Sequence, residues 1–254
     1  MSMTQSPKPR LRYYLVLLAP CLLLVLLVIV LRMNQPLRFG PLREVIGQSV
    51  EGRDITCVSF GEGMGGVLFL ASIHGSEGAG TPLLEGLIAH LSERTDLSGP
   101  IIVVANANPD GLIRKQRLNT NGVDLNRNFP AANRRNRERF GDEALSEPES
   151  RALHALIEAR QPLVIVSVHQ PIACVDYDGP PAAAALAERM AELCQLPVKK
   201  LGSRPGSLGA YFGETLGRPI ITLELPTLAS HDPGKLWARY GEALLSALEA
   251  SQIQ

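Results

Sequence analysis

The chain has 254 residues, 45% of them apolar, with 25 basic and 25 acidic side chains. That length suits one sizeable domain with accessories. Residues 1–43 hold six basic residues and no acids, leaving 19 basic against 25 acidic over 44–254, a mildly acidic balance that excludes the electrostatic footprint of a nucleic-acid binder.

A short tail (1–12) precedes Tyr13–Leu31, a run of 19 residues without a charge. At ~1.5 Å per residue it matches the ~30 Å hydrocarbon core of a bilayer. A cleaved signal peptide would have a shorter apolar region and a small-residue cleavage site after it. Here "RMNQPLRFG" follows directly, so the expectation is an uncleaved single-pass transmembrane helix. Lys8, Arg10 and Arg12 outweigh the basic flank behind only slightly, which favours a cytoplasmic N-terminus and an exported main domain. Residues 32–43, with Pro36, Gly40 and Pro41, read as a linker, and 44–254 as the main domain. Cys21 lies in the apolar run. Cys57, Cys174 and Cys194 have no CxxC spacing, so one disulfide stays open and a framework is excluded.

In the main domain Val67–Ile73, Ile101–Ala107, Leu163–Val168 and Pro219–Leu223 are short apolar runs expected to be strands buried on both faces. The stretches 79–92, 147–160, 182–194 and 234–250 have helical patterning. "SEPE" (Ser146 to Glu149) has capping-box spacing with a proline for the first turn, which sets a helix start near Glu147. "NANPDG" (Asn106 to Gly111) is a turn signal. Strand and helix in alternation imply an α/β domain with a mixed central β-sheet flanked by helices.

The first strand ends in His74, with Glu77 three positions on; "LVIVSV" ends in His169 and "PIITL" in Glu224. Ligands of open α/β sheets bind outside the carboxyl ends of strands. A strand buried on both faces does not end in a bare carboxylate without a use for it. Two histidines and a carboxylate with an open fourth position are one ligand set of catalytic zinc. Gly75 and Gly78 would let the chain turn so that His74 and Glu77 reach one ion, leaving Glu224 as a general base. On spacing alone, solvated strand-end histidines remain the alternative.

"RLNTNGVDLNRNFP" (Arg117 to Pro130) decides between them. With "HGSE", "NPDG", "VSVHQP" and "ITLELP" in this order, residues 44–250 resemble the zinc carboxypeptidases of the carboxypeptidase A type. "NGVDLNRNFPAAN", "SEPES" and "PGSLG" resemble most the murein peptide amidases within that group. The resemblance implies one Zn2+ per chain held by His74, Glu77 and His169. It implies Glu224 as the base toward the metal-activated water, Arg117 steadying the oxyanion, and Asn126 and Arg127 gripping a terminal carboxylate. Asp124 would sit behind His74 and fix its tautomer. The tyrosine that many members carry just before the "PGSLG" segment is missing from "KKLGSRPGSLG", leaving Tyr211 to cover the site. Gln170–Pro171 is a candidate cis bond. His90 and His154 are expected on helix surfaces or in packing and His231 in a loop. Arg134, Arg135, Arg137 and Arg139 form either a solvated face or a collector of anionic groups.

The implied activity is hydrolysis of the γ-D-glutamyl–diaminopimelate amide in murein peptides, a small-peptide substrate. The implied address is a bacterial inner membrane with the catalytic domain in the periplasm. Rivals are a carboxypeptidase on ordinary peptides, an N-acyl amino acid deacylase, and a catalytically dead wall-peptide binder. The short chain beyond Glu224 disfavours the deacylase, and retention of the zinc set with Glu224 disfavours the dead binder. The oligomeric state is left open.

Overall fold

The structure is a computed structural model and describes residues 40–250 apart from 98, 228 and 230. The apolar run Tyr13–Leu31, expected as an anchor, lies outside the described residues. Among the described residues no helix is long and apolar enough to cross a membrane.

Seven strands form one mixed sheet: β1 (Leu42–Gln48), β2 (Asp54–Phe60), β3 (Val67–Ala71), β4 (Ile101–Val104), β5 (Val164–His169), β6 (Ile172–Asp178) and β7 (Ile220–Pro226), in the order β1-β2-β4-β3-β5-β7-β6. The four central strands β4, β3, β5 and β7 run parallel, while β1, β2 and β6 join antiparallel at the two sides. The four apolar runs expected to be strands are these four, because only a strand covered on both faces can be apolar at every position. β1 begins at Leu42, inside the stretch expected as linker. Pro41 stops just short of the strand, where a missing N–H costs no ladder bond.

Alternate residues along each strand feed two cores. Val67, Phe69, Val103, Val166 and Leu223 face helices α1 (Gly80–Glu93), α4 (Pro181–Cys194) and α5 (Pro233–Ala250). Leu68, Leu70, Ile102 and Ile165 face helix α3 (Pro148–Arg160), together with Leu125, Phe129 and Phe212 from the irregular segments. The expected turn at Asn106–Gly111 is instead a short helix, α2 (Pro109–Arg114). The Asn108 side chain caps it by accepting from Gly111 N–H at 2.9 Å, and Pro109 stands in the first turn.

The chain goes from β3 to β4 on one side and then to β5 on the other. The carboxyl ends of β3 and β5 thus flank the point where the order reverses, which is where an open α/β sheet leaves a crevice.

Candidate metal centre and substrate cavity

His74 follows β3 through Ser72, which takes a left-handed conformation (φ 54°) and redirects the chain. Gly75 and Gly78 are not at positive φ, so the turn does not come from them as expected. Gly75 serves a close approach instead. A Cβ there would lie 2.0 Å from the Gly111 carbonyl carbon in α2, so the residue is small because another backbone passes beside it.

His169 ends β5, and Glu224 stands beside it in parallel register on β7. Glu77 lies between the two histidines. Its Oε2 is 2.8 Å from His169 Nδ1, and its Oε1 is 2.9 Å from His74 Nδ1. All three residues are buried, and one ligand atom from each lies within 4.8 Å of the others.

The donor set fits a zinc ion. His74 Nε2 pairs with Asp124 Oδ1 at 3.0 Å, which places the proton on Nε2 and leaves Nδ1 a lone pair. That Nδ1 is buried and, although close to Glu77, lacks the alignment of a hydrogen bond. A buried nitrogen lone pair aimed at a carboxylate and a second imidazole is costly with nothing between them and favourable around a cation.

Charge is concentrated here. Burial raises the Glu77 and Asp124 carboxyls, but the histidines outweigh it and hold both below the ordinary range, aided at Asp124 by Arg117 and Arg127. Burial depresses His74, and the neighbouring Asp124 and Glu77 carboxylates reverse this to a net rise. Burial pushes the Glu224 carboxyl up, with the Glu77 charge acting in the same direction. Glu224 Oε2 accepts from Ile172 N–H at 3.3 Å.

The segment after α2 supplies the opposite wall. Arg117 reaches Glu77 (3.0 Å) and Asp124 (3.1 Å). Asn126 Oδ1 accepts from Leu208 N–H at 2.8 Å. The Arg127 guanidinium folds back to the Asn126 carbonyl; burial lowers its pKa, and Arg117 and Arg204 push the same way. Every residue anticipated for the site gathers here. His74, Glu77, Arg117, Asn126, Arg127, His169 and Glu224 line one cavity of about 260 Å³, with Asp124 behind His74.

Several expectations change. Tyr211 does not cover the cavity. It is buried in a π-helical turn (Gly209–Thr215), and its hydroxyl donates to Glu158 (2.7 Å) and meets His154 Nε2 (3.0 Å), both on α3. The "SEPE" capping box does not form, although the helix starts where expected. Ser146 bonds the Glu147 carboxylate, while Glu149 reaches Val50 N–H and Asn119. Together Glu147 and Glu149 grip Asn119, whose carbonyl oxygen holds Val123 N–H beside Asp124. Gln170–Pro171 is cis, as anticipated. The three cysteines are free and buried. Arg134 is tied to the Phe140 and Gly141 carbonyls, and Arg135, Arg137 and Arg139 are exposed.

Gln170 and Asp176 were not anticipated. Gln170 donates its backbone N–H to Glu77 Oε2 (3.2 Å) and accepts from Ala79 N–H (3.1 Å), fastening β5 to the Glu77 turn. The glutamine beside a ligand histidine was visible in "HQP", but nothing in the spacing told where its amide would reach.

Comparison with known proteins agrees with the geometry. The family model described as zinc carboxypeptidase matches residues 42–177. Murein peptide amidase A of Escherichia coli (strain K12) is 36% identical over 183 residues, covering 65% of this chain and 73% of that protein. The enzyme of the same name from Vibrio campbellii is 34% identical over 181 residues, covering 64% and 70%. Among solved structures, the murein-tripeptide amidase MpaA from Escherichia coli O157 superposes with a TM-score of 0.66 at 32% identity, covering 84% of this chain and 94% of that one. Carboxypeptidase A from Helicoverpa armigera, at a TM-score of 0.70 and 20% identity over 84% and 68%, shares the fold. The chain therefore belongs to the zinc carboxypeptidase family of hydrolases.

Proposed function

We propose that the protein hydrolyses the γ-D-glutamyl–diaminopimelate amide of murein peptides, with His74, Glu77 and His169 holding one zinc ion. The observation that carries this is the convergence, in one cavity, of the two-histidine, one-glutamate set with Glu224 and the Asn126–Arg127 pair. The names of the relatives in Escherichia coli and Vibrio campbellii support the choice of substrate. Zinc, when bound, polarises the scissile carbonyl and makes water a nucleophile near neutral pH.

The chain's own residues do the rest. Glu224, within the cavity and with its carboxyl pushed up toward the range that suits a base, takes a proton from the attacking water and returns it to the leaving amine. Arg117 lies against Glu77 and places its charge where the carbonyl oxygen becomes negative. Arg127 and Asn126 receive the free carboxylate of the leaving amino acid, a task that suits a planar guanidinium.

The test is release of free diaminopimelate from L-Ala-γ-D-Glu-meso-diaminopimelate by the full-length, zinc-loaded protein in detergent, read by mass spectrometry. Glu224→Gln should retain zinc and lose about 10²–10⁴-fold in kcat. Near-normal turnover in that variant removes Glu224 from the base role. Cleavage only of ordinary C-terminal peptides replaces the substrate with the carboxypeptidase alternative.

The same reading includes residues 13–31 as a single-pass anchor in a bacterial inner membrane and the catalytic domain on the periplasmic side, supported by the uncharged run and the basic tail ahead of it. Alkaline phosphatase fused at the C-terminus should be active, and an inactive fusion reverses the orientation.

A further inference from the structure

β6 pairs antiparallel with β7, and residues opposite one another in such a ladder share a face. Cys174 is opposite Glu224, Asp176 opposite Thr222 and Asp178 opposite Ile220. Asp176 thus lies about 7 Å along the strand from the level of Glu224, on the same face, with Asp178 as far again. Asp176, Asp178, Thr222 and Glu224 all line the cavity that holds the metal-ligand set.

The two aspartates are differently placed. Asp178 accepts from Lys200 Nζ at 3.2 Å, and its carboxylate packs against Gly209. Asp176 is 6% exposed, and Oδ1 accepts from Leu201 N–H at 2.9 Å. Among the described residues no cation lies within ion-pair distance of Asp176. Burial pushes its carboxyl up and the charge of Asp178 adds to this, outweighing the Leu201 N–H and the more distant charge of Lys200, which pull it down. A carboxylate so enclosed is costly alone and favourable once a hydrogen-bonding cation joins it.

We propose that Asp176 reads the distal ammonium of the diamino acid on the leaving side of the scissile amide. This rests on the reading of the cavity given above. With its α-carboxylate on Arg127 and its amide nitrogen beside Glu224, the leaving residue has the β6 floor free for its side chain. Three methylenes carry an ammonium from the level of Glu224 to that of Asp176. Lys200 is hydrogen-bonded to Asp178 and lies beyond ion-pair distance of Asp176, so the arriving cation pairs with Asp176. A side chain without an ammonium would seal Asp176 in unpaired, which makes the selection one of exclusion as well as attraction.

Two peptide series test this on the full-length zinc protein, one with a γ-D-glutamyl and one with an ordinary α-alanyl bond to the last residue. In each, that residue is meso-diaminopimelate, lysine, 2-aminopimelate or norleucine. The diaminopimelate and lysine peptides should exceed the other two by roughly ten- to a hundredfold in kcat/KM, the size expected of one hydrogen bond between charged groups. Asp176→Asn should erase that ratio from both ends, lowering the diaminopimelate and lysine peptides and raising the norleucine peptide as the penalty of the unpaired carboxylate is removed.

No ammonium preference in wild type overturns the assignment, whether or not the variant folds. An equal loss on all four peptides in a folded Asp176→Asn overturns it too, since that is a structural effect. Cleavage of the α-alanyl series alone, with the ammonium preference intact, removes the murein substrate and keeps Asp176. Should neither series be cleaved, calorimetry of the free amino acids decides. Tighter binding of lysine than norleucine, lost in Asp176→Asn, supports the assignment; equal or absent binding sinks it.

Discussion

Tyr211 has its hydroxyl on Glu158 and His154, on the face of the sheet packed by α3. Burial and the Glu158 carboxylate raise its pKa well above the ordinary phenol value, so it acts as a neutral donor. Tyr211→Phe should therefore cost about 1–3 kcal/mol of stability through a lost bond to a charged acceptor and leave kcat unchanged. A normal melt with a large drop in kcat would return this tyrosine to the cavity. At this scale the sequence was read well where a residue's chemistry was its signal. His74, His169 and Glu224 end apolar runs that should not end in ionisable groups, Glu77 follows three positions behind His74, and all four meet. Tyr211 was misplaced because a position in sequence says nothing about which way a π-helical turn points its side chains. Asp176 was missed because a carboxylate in "DYD" looks the same whether it faces water or a cavity.

Elements place these residues, and Gly75 shows how tightly. The Ser72-to-Gly78 turn presses on α2 where a Cβ at Gly75 would meet the Gly111 carbonyl carbon at 2.0 Å and the Leu112 nitrogen at 2.3 Å. Gly75→Ala should separate the turn from α2, cost upward of about 3 kcal/mol and weaken zinc binding together with the fold. Gly122→Ala is the contrast. It sits at φ 77° with nothing within 4 Å, so it should cost only about 1 kcal/mol through backbone strain. Parallel thermal melts and zinc titrations of both variants check the pair. The central strands and large helices were legible because continuous apolar runs and 3.6-residue periodicity record burial directly. β1, β2 and β6 were not. They lie toward the sheet margins, and "IACVDYD" carries polar groups on the very face that makes the cavity. The "SEPE" start was legible as a helix boundary, yet its side chains went to a buried network whose partners, Val50 and Asn119, lie far away in sequence.

For the whole molecule, metal and fold are coupled through protons. The folded pKa of His74 is raised above 6.5, so in the metal-free protein its stabilising contribution is full below that value and fades as pH rises through the raised one. Glu77 and Asp124 are depressed below 4.5 and 3.8, so theirs is present above those values and is lost as pH falls. The ion cluster therefore supports the metal-free fold best at mildly acidic pH, between the two limbs. Zinc takes the His74 Nδ1 lone pair, for which a second proton competes as pH falls. Its affinity should climb with pH, by up to about tenfold per unit for one released proton, until the raised His74 pKa is passed. Proton release measured by calorimetry in buffers of different ionisation enthalpy checks this, and a pH-independent affinity would contradict it.

The register between β5 and β7 carries one more consequence. Glu224 meets His169 only because a strand made late in the chain slides in beside one made earlier, and His74 and Glu77 come from a strand made earlier still. No partial chain contains a complete site, and pairings this distant in sequence form slowly. With the roles proposed above, hydrolytic competence is a property of the finished sheet, and a copy in which β7 has not yet joined β5 would be inert toward whatever peptides surround it.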